Sequence, residues 1–108
     1  MTLKPKNVYA VTPDSSDKER FEELLKTNEV TIERIVSAGH RSPESGWYDQ
    51  ENNEWVLILQ GSATLAFEDQ NSIVLNEGDY INIPSHTKHK VTWTEPDRET
   101  IWLAIHYK

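Results

Sequence analysis

Gly78-Asp79-Tyr80-Ile81-Asn82-Ile83-Pro84-Ser85-His86-Thr87-Lys88-His89 is the stretch that decides how this chain folds. Polar breaks at Asn76-Glu77-Gly78 and Pro84-Ser85 bracket a short run of β-formers, as expected of a strand set between two turns. The same rhythm extends in both directions. From Trp55 onward, β-branched and aromatic residues dominate, broken at Gln60-Gly61, Glu68-Asp69-Gln70-Asn71 and Glu95-Pro96-Asp97. Breaks at intervals of roughly 8 to 12 residues predict an all-β sandwich or barrel.

Before this region the pattern differs. Ser16, with Glu19 three positions later, forms a capping box, in which the hydroxyl accepts from the first turn and the carboxylate reaches back. Phe21, Leu24 and Leu25 then share one face and Glu22, Glu23 and Lys26 the other. The spacing predicts one helix of about ten residues ending near Asn28, a residue tolerant of left-handed backbone. Strand patterning begins with Val30 and Ile32 and continues through Ile35 and Val36 to the break at Ala38-Gly39. Residues 1–29 therefore read as an arm of strand and helix, and residues 30–108 as one β-domain.

Two strands are apolar on both faces. Val56, Leu57, Ile58 and Leu59 run without a polar interruption, and Ile101, Leu103 and Ile105 alternate with Trp102, Ala104 and His106. Period-two alternation makes Ile101, Leu103 and Ile105 the obvious core set and turns His106 outward. A strand covered on both sides fits a wall packed against a second copy of the chain, so a homodimer is expected. The alternative is that the N-terminal arm covers the outer face.

Composition removes several classes of function. With 108 residues the chain makes a single small domain. Its net charge of −7, from 18 acidic and 11 basic residues, repels phosphate backbones and anionic lipids. Nucleic-acid and membrane partners are not expected. The chain has no cysteine, which excludes disulfides and thiolate metal sites. The stretch MTLKPKNVYAVTPDSSDKE has no apolar signal-peptide core, and no segment approaches the roughly 20 apolar residues of a membrane span. A cytoplasmic location is the expectation. No G-x-S-x-G, Walker A or G-x-G-x-x-G motif occurs.

Glu54 followed seven residues later by Gly61, and Gly78, Pro84 and His89 at their separations, resemble the two motifs of the cupin family. Its first motif, G-x5-H-x-H-x3,4-E-x6-G, supplies two His and one Glu; its second, G-x5-P-x-G-x2-H-x3-N, supplies a third His. The chain keeps the E-x6-G half and the glycine, proline and histidine of the second motif. It departs where the paired histidines should stand, reading Trp47-Tyr48-Asp49-Gln50. His86 replaces a glycine, and Trp93 replaces the asparagine. The resemblance implies an all-β double-stranded β-helix (jelly-roll) barrel, here with a short N-terminal helix, that holds a metal ion and forms dimers.

Imidazole and carboxylate suit zinc, iron, nickel, manganese and copper. On the resemblance, His89 stands at the second-motif ligand position and Glu54 at the carboxylate ligand position. Buried, Glu54 would need a metal, a cation or hydrogen-bond donors. Asp49 occupies the second histidine's place if four residues separate it from Glu54, and Gln50 if three do; Asp49 is the better ligand because it is anionic. His86 lies in the turn after Pro84, close enough to approach His89. The expected metal set is thus Asp49, Glu54, His86 and His89 around Zn, Fe, Ni or Mn. Trp47, Tyr48, Gln50 and Trp93 are the expected walls of a substrate pocket, with Val91 and Trp93 on the same strand face as His89. His40 reads as a surface-loop residue in a loop that lines a barrel mouth.

The function expected is a small cupin with a divalent-metal site that binds or transforms a small organic molecule. The alternative is a metal-free ligand-binding or sensory cupin without catalysis, favoured by loss of the motif-one histidines. A structural dimer with a filled interior is a third reading. The fold alone does not choose among them.

Overall fold

The turn before the deciding stretch is held from three sides in the computed structural model, which describes residues 3–10, 19–42, 46–68 and 70–108. Gly78 takes φ 88°, a left-handed backbone that glycine adopts without penalty. Asp79 closes the turn on Asn76 through a backbone bond of 2.9 Å, and its own carboxylate accepts from the Asn76 N–H at 2.8 Å. Glu77 accepts from the Gly61 N–H at 3.1 Å and pairs with Arg98. The Gly61 donor and the Arg98 guanidinium hold the Glu77 carboxyl below the usual range. Gly61, at φ 85°, is constrained further, because a Cβ there would lie 2.9 Å from the Thr100 Cα. The two motif glycines thus anchor neighbouring turns at one end of the fold.

Among the described residues, eight strands make two antiparallel sheets. They are β1 (Arg20–Lys26), β2 (Val30–Ser37), β3 (Asn53–Gln60), β4 (Ala63–Phe67), β5 (Gln70–Leu75), β6 (Tyr80–Ile83), β7 (His89–Thr94) and β8 (Thr100–Tyr107). One sheet runs β1-β2-β8-β3-β6 and the other β5-β4-β7. Their facing surfaces meet in one core. Val56, Ile58, Ile83, Trp102 and Ala104 come from the larger sheet, and Ala63, Leu65, Phe67 and Leu75 from the smaller. Fully buried Ile58 and almost fully buried Leu65 each stabilise the fold by about 2 kcal/mol. The outer edges are β1 and β6 in one sheet and β5 and β7 in the other, so the ladders do not close into a barrel.

Three expectations change. Residues 20–26 are a strand, and no helix occurs among the described residues. Ser16, the expected cap, lies outside those residues; Glu19 instead bonds the Ser37 hydroxyl. Phe21 and Leu25, the expected buried face, are 59 % and 53 % exposed. The helix formers Glu, Leu and Lys yield here to the backbone ladder that β2 offers. Next, Ile101 is buried as expected, but Trp102 and Ala104 belong to the core cluster and Leu103 and Ile105 do not, which reverses the expected faces along the rest of β8. His106 consequently points inward with them. Finally, Trp93 is 43 % exposed. Thr64 pairs with Trp93 but Leu65 with Val91, so a bulge at Thr92 breaks the alternation and turns Trp93 away from the His89 face.

The N-terminal segment covers part of the larger sheet's outer face. Arg34 donates to the carbonyls of Val8 and Ala10 at 3.1 and 3.3 Å, and the Tyr9 hydroxyl donates to the Leu59 carbonyl at 3.5 Å.

Candidate functional site

Register alone gathers the polar groups. Opposed residues of an antiparallel pair point to the same face. Glu54 lies opposite both His106 of β8 and Ile83 of β6, while Trp102 lies opposite Ile58 of β3 and Ile35 of β2. The inner face of the larger sheet is therefore graded, with an acid–imidazole rung at Glu54 and His106 and an apolar rung at Ile35, Trp102 and Ile58. Glu33, opposite Ala104, sits between them. A cavity of about 260 Å³ lies over this face. Val56, Leu65, Ile83 and Val91 contribute to its apolar lining, and Arg41, Ser42, Tyr48 and Gln50 also line it.

His89 reaches the cavity from the opposite sheet. Its backbone exchanges bonds of 2.8 and 3.1 Å with Tyr48, and its ring lies between those of Tyr48 and Phe67, at 5.9 and 6.1 Å. The ring's Nδ1 stands 2.8 Å from the Thr87 carbonyl, which can only accept, so Nδ1 carries a proton. Nε2 faces Glu54 Oε1 at 3.4 Å. The contact is an ion pair when the imidazole is charged. Burial works against charging the imidazole, but the Glu54 carboxylate and the Thr87 carbonyl outweigh it and raise its pKa above the ordinary 6.5. The other Glu54 oxygen, Oε2, lies 3.8 Å from His106 Nε2, which is also 3.6 Å from Glu33 Oε1.

Among the expected metal ligands, the structure brings Glu54 and His89 together and sets Asp49 and His86 apart. Asp49 and His86 pair with each other at 2.6 Å, their side chains 41 % and 65 % exposed, and neither lines the cavity. His86 takes φ 58°, the left-handed backbone that explains why glycine suits this position. Of the expected pocket walls, Tyr48 and Gln50 line the cavity, whereas Trp47 stacks under Lys90, whose Nζ is 4.6 Å from the ring centroid, and Trp93 faces solvent. Gln50, not Asp49, is the residue turned to the cavity. Strand alternation could not decide this, since residues 49–52 between the Tyr48 bridge and β3 are irregular.

Glu33, Arg41, Ser42 and Trp102 also line the cavity and were not singled out by motif spacing. Two buried polar atoms on lining residues have no hydrogen-bond partner among the described residues: the acceptor Gln50 Oε1 and the donor Trp102 Nε1. His40 does not line the cavity; its Nδ1 accepts from the Ala38 N–H at 2.8 Å.

Fold and site together define a two-sheet β-protein with a small cavity that joins an acid–imidazole rung to an apolar wall. The chain belongs to the cupin family, since the cupin domain model matches residues 34–106, well over half of it. Among solved structures it is similar to "a putative mannose-6-phosphate isomerase" from Ralstonia eutropha JMP134, with 37 % identity, a TM-score of 0.92, and 98 % of this chain and 99 % of that one covered. The dimethylsulfoniopropionate (DMSP) lyase DddQ of Ruegeria pomeroyi DSS-3 shares the fold, at 20 % identity and a TM-score of 0.72, over 92 % of this chain and 51 % of that one. A curated relative, the uncharacterized protein YdbB of Bacillus subtilis strain 168, is 24 % identical over 97 % of this chain and 88 % of its own length.

Family resemblance implies a metal, and the donor set tests it. At the two motif-one histidine positions that face the cavity stand a phenol, Tyr48, and an amide, Gln50. The two oxygens of Glu54 face different imidazoles, His89 at 3.4 Å and His106 at 3.8 Å. Among the described residues no group of three or more His, Cys, Asp or Glu is placed to hold one ion. The expected set of Asp49, Glu54, His86 and His89 does not fit a metal.

Proposed function

We propose that this chain is a metal-independent cupin that binds a small organic molecule in the cavity between its sheets. The observation that carries the reading is the pair of unpartnered atoms on lining residues, Gln50 Oε1 and Trp102 Nε1. Leaving a buried donor or acceptor unpaired costs about 1–3 kcal/mol each, a cost that a ligand's polar groups would remove. In this proposal the two sheets are the halves of a double-stranded β-helix jelly roll. Residues 30–108 carry most of the pocket, and the arm of residues 1–29 adds Glu19 and Phe21 to it. A cytoplasmic homodimer remains part of the proposal.

A second reading, catalysis by proton transfer, is favoured by the buried Glu54–His89 contact at 3.4 Å. A carboxylate and an imidazole in contact beside an apolar wall suit an isomerase or lyase that moves a proton next to a carbonyl. The names of the Ralstonia and Ruegeria relatives belong to those two reaction classes.

Elemental analysis of protein purified without chelators or nickel resin tests the metal-independent claim, with thermal melting before and after EDTA. Substoichiometric metal and an unchanged melting temperature are expected. Stoichiometric zinc, iron, nickel or manganese, lost in His89→Ala, would overturn the proposal. A melting screen of small metabolites then separates binding from catalysis, because turnover consumes the stabilising compound and simple binding does not.

A further inference from the structure

The acids that line the cavity are committed, and the donors are not. Glu19 bonds the Ser37 hydroxyl, Glu33 faces His106 Nε2 at 3.6 Å, and Glu54 faces both His89 and His106. Each carboxylate already meets a partner. The Arg41 guanidinium, by contrast, lines the cavity with no ion pair or hydrogen bond among the described residues, and the Tyr48 hydroxyl is equally free of one. The Ser42 hydroxyl accepts from the Val91 N–H at 3.0 Å, which leaves its own proton to give. Deeper in, the Trp102 Nε1 donor is unpartnered on a residue only 4 % exposed.

Three of these donors gather beside β7. The Ser42 N–H bonds the Val91 carbonyl at 2.8 Å, and Tyr48 exchanges backbone bonds with His89. Val91 and His89 are two residues apart, roughly 7 Å along a strand, so Arg41, Ser42 and Tyr48 share one stretch of the rim. Arg41 and Tyr48 are exposed there, whereas Trp102 is buried. An apolar row leads inward: Phe21 of β1 lies opposite Ile35 of β2, and Ile35 opposite Trp102 of β8. The cavity thus offers donors at an open end, donors at a buried end and hydrocarbon along its wall. Charge limits what can enter. With both imidazoles protonated, these and Arg41 only balance the three glutamates, and the chain as a whole carries −7. One unpaired guanidinium suits one negative charge, and a dianion would meet the stronger repulsion.

Resting on the reading that this cavity is a ligand site, we propose that its ligand is a small monocarboxylic acid that carries a second oxygen. Arg41 and the hydroxyls of Ser42 and Tyr48 donate to the carboxylate at the rim. The carbon body lies against Phe21, Ile35 and Trp102, and the second oxygen accepts from Trp102 Nε1.

Five probes test this by calorimetric titration at low salt: 4-hydroxybenzoate, 4-hydroxybenzyl alcohol, 4-hydroxybenzylamine, benzoate and mannose 6-phosphate. Because hydrogen bonds to a charged group are the stronger kind, 4-hydroxybenzoate is expected to bind at least about tenfold tighter than the alcohol or the amine. Arg41→Gln, checked for folding by its melting curve, is expected to remove that advantage and leave the alcohol unchanged. Trp102→Phe keeps a ring and loses the donor, and is expected to bring 4-hydroxybenzoate down to the level of benzoate while benzoate itself is unmoved. Binding of the alcohol or the amine as tight as that of the acid would overturn the assignment while keeping the cavity as a ligand site, and so would equal weakening of acid and alcohol by Arg41→Gln. Mannose 6-phosphate binding tighter than 4-hydroxybenzoate would replace the carboxylate by a phosphate and overturn the single-charge argument. An unchanged ratio of 4-hydroxybenzoate to benzoate in Trp102→Phe would overturn the second oxygen. If none of the five binds and tryptophan fluorescence is unmoved by all of them, both the acid assignment and the ligand-site reading fall.

Discussion

Two histidine–carboxylate pairs lie within a few residues of each other and differ in almost everything except chemistry. His86 and Asp49 stand 2.6 Å apart with side chains 65 % and 41 % exposed, while His89 and Glu54 stand 3.4 Å apart with side chains 7 % and 10 % exposed. The shorter contact is the weaker one. In water either partner of the outer pair finds replacement hydrogen bonds on separation, so its net worth is a fraction of a kcal/mol. Neither inner partner has that recourse, because Glu54 is held between two imidazoles and His89 between two aromatic rings. Burial, rather than distance, makes one pair part of the cavity wall and the other a surface clasp.

Glu54→Ala should have the largest effect. It leaves His89 and His106 without their shared carboxylate, and breaking a buried pair from one side costs about 3–5 kcal/mol. Urea unfolding should show the midpoint falling accordingly, while Asp49→Ala moves it by no more than about 1 kcal/mol. Comparable losses in the two variants would erase the distinction between the pairs.

Acidity provides a finer probe. The folded-state pKa of His89 is raised above its ordinary value, so its contribution to stability is complete below about pH 6.5 and is lost as pH rises through the higher folded value. Wild-type stability should therefore decline from about pH 6.5 upward relative to His89→Gln, by less than the Glu54→Ala loss. Parallel pH profiles for the two proteins would show that Glu54 does not favour the charged imidazole of His89.

The legible part of this molecule was carried by backbone constraint. Gly61 and Gly78 need left-handed turns, His89 follows at a fixed separation, and punctuation marked the strands. Residues whose direction depends on the partner strand were not legible. Both faces of β8 are apolar, so alternation could not say whether Trp102 or Leu103 faced in; the ladder with β3, which sets His106 beside Glu54, decides it. Trp93 was lost to a bulge that leaves no mark in composition. In the segment from Arg20 to Lys26 the helix-forming residues are genuine, but a free strand edge on β2 outweighs propensity. The choice between Asp49 and Gln50 was not legible either, because residues 49–52 lie outside a strand and period-two alternation does not run through them.

The smallest effect concerns the outer pair and separates its backbone from its side chain. His86 holds φ 58° and its N–H donates to the Gln50 carbonyl at 2.8 Å, so the backbone at position 86 anchors a pocket residue whatever the side chain does. His86→Ala loses the Asp49 contact and keeps the strained backbone, for a loss of about 1 kcal/mol. His86→Gly loses the same contact but relieves the strain, and its stability should lie within about 0.5 kcal/mol of wild type. Chemical denaturation of the two variants checks the order. If Gly is as costly as Ala, the imidazole itself holds the turn, and the outer pair is closer in kind to the inner one than its exposure implies.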